Sequence, residues 1–172
     1  MLYFAAMDKK NPSAGAALDR QMLRHAVATL AYRARKPLSD APADFSEFRA
    51  GESVRTPGQI LAHLGDLIDW VLSLAKGKQE WRGSKVLPWQ EGVERFYKSL
   101  GALDAYLACD APLGETPEKL FQGAIADSLT HVGQLAILRR LAGAPIRGEN
   151  FHKAEIAVGR VGADQAAPKL EF

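Results

Sequence analysis

The sequence predicts an all-α fold, namely a four-helix bundle with a long crossover after helix one and a C-terminal tail that carries a short helix. Four long segments place apolar residues three and four positions apart, as an amphipathic helix does, and no segment shows sustained alternation of apolar and polar residues. Such helices bury their apolar faces most simply against one another in a bundle. The 172 residues are expected to form one domain, with the bundle at about 11–143 and the tail at 144–172.

Helix one is predicted to begin at Asn11, a candidate N-cap, with Pro12 at the first helical position. Pro37 is predicted to end this helix, because proline lacks the amide N–H that a helix interior needs. The residues expected on its inner face are Leu18, Met22, His25, Ala26 and Leu30. His25 is therefore interpreted as a hydrogen-bonded histidine in the core or at its boundary.

The segment 37–55 is predicted to be a connection with at most a turn or two of helix. It contains two prolines, a glycine and several acidic residues, which favour turns and loops. Its length of about 20 residues exceeds the usual link between helices, so it is expected to cross over the bundle instead of making a tight turn.

Helix two has the clearest start in the chain. Thr56 is the predicted N-cap, Pro57 follows it, and Gln59 completes a capping box. The helix is expected to run to about Lys76 and to stop at Gly77. Its apolar face is predicted to contain Ile60, His63, Leu64, Leu67, Trp70, Val71 and Leu74.

Helix three is predicted from roughly Pro88 to Cys109, and its inner stripe contains Val93, Phe96, Leu100, Leu103 and Leu107. Cys109 follows an apolar run and is expected to be a small buried side chain. Because it is the single cysteine, the chain cannot form an intramolecular disulfide.

Helix four is predicted to be capped by Thr116 and Pro117 and to continue past Arg140 to Gly143. Its apolar surface is expected to include Phe121, Ile125, Leu129, Val132, Leu135 and Leu138. In the tail, a short helix is predicted near 151–158.

The charge pattern argues against nucleic acid as a partner. The chain has 22 Lys and Arg against 20 Asp and Glu, a net charge of +2, and the two signs are interspersed. A protein that binds the phosphate backbone needs a concentrated basic face. The densest basic spots, 33–36 and the pair Arg139 and Arg140, are expected to be solvated helix ends. The N-terminal stretch MLYFAAM is too short to span a bilayer, so a cytoplasmic protein is expected.

A candidate metal site joins helix two to helix four. Asp127 and His131 are four residues apart, which places them on the same side of a helix, and His63 lies on the apolar face of helix two. Two imidazoles and one carboxylate leave coordination positions open and suit Zn²⁺ or Fe²⁺, with Ni²⁺ and Mn²⁺ less favoured. The alternative is structural: an inward histidine hydrogen-bonded to a protein partner, and an Asp–His pair that forms a local contact.

Two stretches, ILAHLGDLIDW in helix two and HVGQLAILRRLAG in helix four, resemble the DinB-like superfamily of metal-binding four-helix bundles. The resemblance covers nearly the whole chain, from helix one to about Gly143. It implies a homodimeric bundle in which three histidines hold a divalent metal ion. His63 and His131 match two of these ligands, whereas Asp127 stands where the family has the third histidine.

The resemblance also implies a function. It indicates a metal-dependent enzyme that acts on a small molecule, such as a thiol S-transferase using a low-molecular-weight thiol, or a hydrolase, with a nucleophile activated by the metal. The alternative is a non-catalytic bundle that binds a small ligand or partner through a relic metal site. Neither function involves nucleic acid or a membrane.

Other polar residues are weaker candidates. Gln134 lies about two turns from Asp127 and either orients a metal ligand or packs against a neighbouring helix. Three tail residues with metal-capable side chains are expected to be solvated, although a tail folded over the bundle would let them close the site; they are Glu149, His152 and Glu155. A nucleophile at Ser128 or Cys109 is disfavoured, because nothing near them in the sequence supplies an oxyanion hole.

Overall fold

A computed structural model describes residues 12–172 of the chain, which form an all-α bundle as predicted. The helices are α1 (Pro12–Leu38), α2 (Pro57–Ala75), α3 (Trp89–Ala108), α4 (Pro117–Leu120) and α5 (Ala126–Leu141). A π-helical turn, Phe121–Ile125, joins α4 to α5. Short 3₁₀ turns occur at Phe45–Glu47 in the crossover and at Phe151–Lys153 in the tail.

The order of the helices around the bundle confirms the crossover. α1 packs against α3 and α5, and α2 packs against the same two helices. Consecutive helices α1 and α2 therefore occupy opposite corners, and the connection between them must cross one end of the bundle. The same arrangement places α2 beside α5.

The crossover is anchored by an aromatic contact. Phe45 is 1% exposed and lies edge-on to Trp89 at the start of α3, with ring centroids 5.2 Å apart. The Trp89 indole N–H donates a hydrogen bond to the carbonyl of Leu38, 3.1 Å away. These contacts hold the C-terminal end of α1 and the N-terminal end of α3 against the crossover.

The predicted caps of α2 and of helix four are confirmed. Gln59 N–H donates to the Thr56 hydroxyl at 3.3 Å, and the Gln59 side chain accepts from the Thr56 N–H at 2.9 Å. Gly77 ends the helix with a positive φ of 74°, which glycine adopts without steric cost. The Thr116 hydroxyl caps α4 by accepting from Lys119 N–H at 3.4 Å.

The prediction for helix one is wrong in two respects. Pro37 does not end α1, which continues to Leu38, because a proline in the last turn disrupts too few hydrogen bonds to stop the helix earlier. Leu18, Met22 and His25 are exposed. The buried face instead contains Leu23, Val27, Ala28, Leu30, Ala31, Ala34 and Leu38. Small alanines pack closely between helices, and hydrophobic spacing alone did not distinguish the two faces. Asn11 and the MLYFAAM stretch lie outside the described residues.

The prediction of one continuous helix four is also wrong. Within the π-helical turn, Gly123 has a ψ of −105°, which is not helical. Because a π turn holds more residues than an α turn, it shifts the phase of the side chains that follow. Phe121 is consequently exposed, whereas Ile125, Leu135 and Leu138 of the predicted face are buried.

Burial differs from prediction at three polar residues. Cys109 is exposed, because it follows the last residue of α3. Arg139 is buried, since its guanidinium donates to the carbonyls of Ser39, Asp40 and Ala144 where α5 meets the crossover. Glu149 is buried beside α1, whereas the other two tail candidates, His152 and Glu155, are exposed as expected.

The tail packs along α1 and forms only the 3₁₀ turn within the predicted short helix. Tyr32 donates a hydrogen bond to the Glu149 carboxylate, and Lys36 Nζ lies 3.0 Å from the same carboxylate. Phe151 lies edge-on to Tyr32, with ring centroids 6.4 Å apart. The Glu149 carboxylate is therefore committed to α1. Throughout residues 12–172, no helix has the length and apolarity required to cross a membrane.

Candidate metal site

The packing of α2 against α5 brings His63, Asp127 and His131 together. Each residue offers one ligand atom, and these atoms lie within 4.8 Å of one another. Asp127 lies between the histidines: one carboxylate oxygen is 3.8 Å from His63 Nε2, and the other is 3.6 Å from His131 Nε2. The two imidazole rings meet edge-on, with centroids 4.8 Å apart. We refer to these three residues as the His–Asp–His group.

The local structure of α5 explains why Asp127 and His131 lie together, whereas the position of His63 depends on helix packing. Asp127 and His131 lie one turn apart in α5, which is regular from Ala126 onward, so their side chains leave the helix on one side. His63 arrives from the neighbouring helix. The exposed fraction of the side chain is 11% for His131, 22% for His63 and 48% for Asp127. The group is therefore walled by protein at His131 and open to solvent at Asp127.

Gln134 contacts the far side of His131. Its side-chain oxygen lies 2.7 Å from His131 Nδ1 and can accept a hydrogen bond from Nδ1–H. That tautomer leaves Nε2 with its lone pair, on the side that faces Asp127. Metal-ligating histidines commonly have a second hydrogen bond of this kind, which fixes the ring and raises its basicity.

The distances are compatible with a metal ion. Ligand atoms about 2.1 Å from an ion at a tetrahedral angle are about 3.4 Å apart. The two separations from Asp127, 3.6 and 3.8 Å, belong to different carboxylate oxygens, and the three candidate ligand atoms lie within 4.8 Å of one another. Side-chain movements, above all of the exposed Asp127, would bring the three atoms closer around an ion. The group could therefore hold a metal ion, with three protein ligands and open positions.

The surroundings of His63 favour a neutral imidazole. Burial lowers the pKa of His63, and repulsion from His131, when that ring is protonated, and from Arg55 lowers it further, against the opposing effect of Asp127 and Asp66. A neutral imidazole is the form that ligates a metal. The His63 ring is therefore available as a ligand at a lower pH than an ordinary histidine.

Trp81 covers His63 from the loop between α2 and α3. Its ring lies edge-on to His63, with centroids 5.7 Å apart, and edge-on to Trp70 at 5.8 Å. The loop is tied to α2 by the Ser84 N–H, which donates to the Asp66 carboxylate at 2.9 Å. The sequence carries no signal for this position of Trp81, because a tryptophan within a loop does not indicate which helix it will cover.

The remaining candidates lie elsewhere or are committed to other contacts. Buried Ser128 donates its hydroxyl hydrogen to the carbonyl of Ala124 at 2.7 Å, which confines it to α5. The His–Asp–His group does not include His25 or the three tail candidates. The tail lies along α1 and does not contribute a ligand to the group.

Comparison with known proteins returned no match. No family model, curated protein or solved structure matches this chain.

Proposed function

We propose that the protein is a metal-dependent enzyme of the DinB-like type, in which His63, Asp127 and His131 hold a divalent ion. The observation that supports this most strongly is the convergence of three ligand atoms from α2 and α5 within 4.8 Å. The donor set of two imidazoles and a carboxylate favours Zn²⁺ or Fe²⁺ over Ni²⁺ and Mn²⁺.

The proposed reaction is transfer to, or hydrolysis of, a small molecule, with a low-molecular-weight thiol or water as the nucleophile. An ion held there with open positions would supply Lewis-acid chemistry, lowering the pKa of a water or thiol towards neutrality. The protein's own residues orient and shield the site. Gln134 holds the His131 ring, and Trp81 covers the His63 ring from solvent.

A second candidate is a non-catalytic bundle with a relic metal site. The observation that favours it is the position of the Asp127 carboxylate, whose two oxygens each face one imidazole. A carboxylate in this position can interact with both rings without an ion, so the group would serve packing alone. The two candidates differ in metal affinity.

Metal analysis of protein expressed without a histidine tag separates them. The enzyme candidate predicts stoichiometric metal, which is removed by a chelator and restored by Zn²⁺ or Fe²⁺. His63→Gln should weaken Zn²⁺ binding by more than about 100-fold, because it deletes a ligand. His25→Gln, which changes an exposed histidine outside the group, is the matched control and should bind like the unmodified protein. Absence of metal together with failure to bind any of the four ions would leave only the non-catalytic candidate.

We further propose that the chain forms a homodimer, as the family resemblance implies. An exposed apolar cluster supports this proposal: Met22 of α1 and Phe121 of the π-helical turn line one surface hollow, and Leu18 lies one turn before Met22. Burying such a cluster against a second copy would remove apolar surface from water. Light scattering of the full chain should give a dimer mass that Met22→Lys reduces to the monomer.

A further inference from the structure

An open apolar cleft adjoins the His–Asp–His group. It has a volume of about 480 Å³, within the range of roughly 300–1,000 Å³ typical of small-molecule sites. Val54 from the crossover, Ile60 from α2, and Ile137, Leu138 and Leu141 from α5 form its apolar wall. Val54, Ile137 and Leu141 are exposed although large and apolar, and all three line this cleft.

The polar residues of the cleft are few. Arg55, His131 and Gln134 line it together with the apolar wall. His131 thus belongs both to the cleft and to the His–Asp–His group, so a molecule in the cleft lies next to one of the three proposed metal ligands.

Arg55 supplies a positive charge that the described part of the chain does not neutralise. Within residues 12–172, no carboxylate lies within ion-pair distance of its guanidinium. By contrast, Arg24 pairs with Asp104, and Arg95 pairs with Asp66 and Asp69, in each case on a neighbouring helix. A guanidinium at the rim of an apolar cleft favours a carboxylate or a similar anion on the bound molecule.

We infer that this cleft binds the substrate, and that the substrate is a small amphipathic anion with an apolar body against Ile60 and Ile137 and its anionic group at Arg55. The inference rests on the proposed function in one respect, namely that the reacting group of the substrate faces His131. It names the class of molecule, which the metal ligands alone do not.

The test uses octanoate and octanol as probes, because they share an apolar chain and differ in charge. Binding to the full chain is measured by calorimetry or, for weak binding, by ligand-observed NMR. Octanoate should bind more tightly than octanol. Arg55→Gln should weaken octanoate by about fivefold, the scale of an exposed ion pair, and leave octanol unchanged. Arg49→Gln, an exposed arginine of the same crossover outside the cleft, is the matched control.

A second variant tests the location. Ile137→Glu places a negative charge at an exposed wall position, so it should reduce binding of both probes without unfolding the protein. Equal affinity of the unmodified chain for the two probes would overturn the inference. Unchanged octanoate binding in Arg55→Gln, or unchanged binding of both probes in Ile137→Glu, would also overturn it.

The same measurements separate this inference from the metal proposal. They are made on chelator-treated protein and repeated after adding Zn²⁺. Octanoate binding without any Zn²⁺ binding would refute the proposed metal site and keep the cleft. Zn²⁺ binding without octanoate binding would refute the proposed cleft and support the proposed metal site.

Discussion

Two polar clusters flank α2, and they differ in how their charges are balanced. Between α2 and α3, Arg95 lies 2.7 Å from the Asp66 carboxylate and 2.8 Å from that of Asp69, and Ser99 donates to Asp69 at 2.6 Å. Between α2 and α5, the single carboxylate of Asp127 faces two imidazoles. We refer to the first set, Asp66, Asp69, Arg95 and Ser99, as the Arg95 cluster.

The Arg95 cluster contains its own cation. Burial acts to lower the pKa of Arg95, but the hydrogen bonds that its guanidinium donates to Asp66 and Asp69 outweigh burial and raise it, so the guanidinium stays charged at every physiological pH. The His–Asp–His group has no permanent cation among its three members, and its imidazoles are neutral when they can bind a metal. The Arg95 cluster therefore joins two helices through charges of its own, whereas the other group could hold a cation from outside.

Removing the cation of the Arg95 cluster should have the largest effect on stability. Arg95→Met should lower the free energy of unfolding by about 2 kcal/mol, because the buried Asp66 carboxylate would lose its charged partner and keep only the hydrogen bond from Ser84 N–H. Urea denaturation measures this change. Asp127→Asn should cost less than about 0.5 kcal/mol in metal-free protein, since Asp127 is half exposed. Similar losses in the two variants would contradict the contrast between the clusters. Arg82→Met, at an exposed arginine, is the control.

Removing the hydrogen bond between His131 and Gln134 should have a smaller effect, and it should change metal affinity without changing stability. Gln134→Ala should weaken Zn²⁺ binding by about tenfold, because His131 would lose the acceptor that orients it. Chelator competition measures the affinity. Gln134→Glu retains an acceptor oxygen and should recover most of the loss. Unchanged affinity in Gln134→Ala would mean that Gln134 has no orienting role.

Lowering the pH should have a still smaller effect, on the stability of the metal-free protein, and only the His–Asp–His group should contribute to it. Because the pKa of His63 is lowered on folding, the unfolded chain binds more protons than the folded chain between that lowered value and the ordinary value of 6.5. Metal-free protein should therefore lose stability as pH falls through this window and regain it as pH rises.

The melting temperature at pH 7.5, 6.5 and 5.5, followed by circular dichroism, measures this dependence. His63→Gln should flatten it, while His25→Gln and Arg95→Met should leave its slope unchanged. A slope in His63→Gln equal to that of the unmodified chain would show that His63 does not titrate as described.

Much of the fold could be predicted because its signals are local. The capping box of Thr56 and Gln59 and the stop at Gly77 depend on hydrogen bonds and backbone angles within a few residues. The inner stripe of α3 likewise follows from spacing along one helix. Within the candidate site, the pairing of Asp127 with His131 follows from the pitch of α5, and so it too could be read from the chain.

Apart from the local break at Gly123 and the exposure of Cys109 at a helix end, the errors of prediction occur where distant segments meet. Burial of Arg139 depends on the carbonyls of Ser39 and Asp40, and burial of Glu149 depends on Tyr32, each about a hundred residues away. The exposed face of α1 was misassigned for the same reason, since only the packing of α3 and α5 determines which side of α1 is covered.

The sequence by itself determined most of the helices, the caps of α2 and α4, and the pairing of Asp127 with His131 in α5, because hydrogen bonds and helical pitch act between neighbouring residues. Tertiary structure alone decided that His63 faces that pair, that Trp81 covers His63, and that Arg55 and an apolar cleft lie beside the group. These contacts depend on the crossover that sets α2 beside α5. That arrangement is settled by the burial of whole apolar faces, which no single stretch of sequence contains.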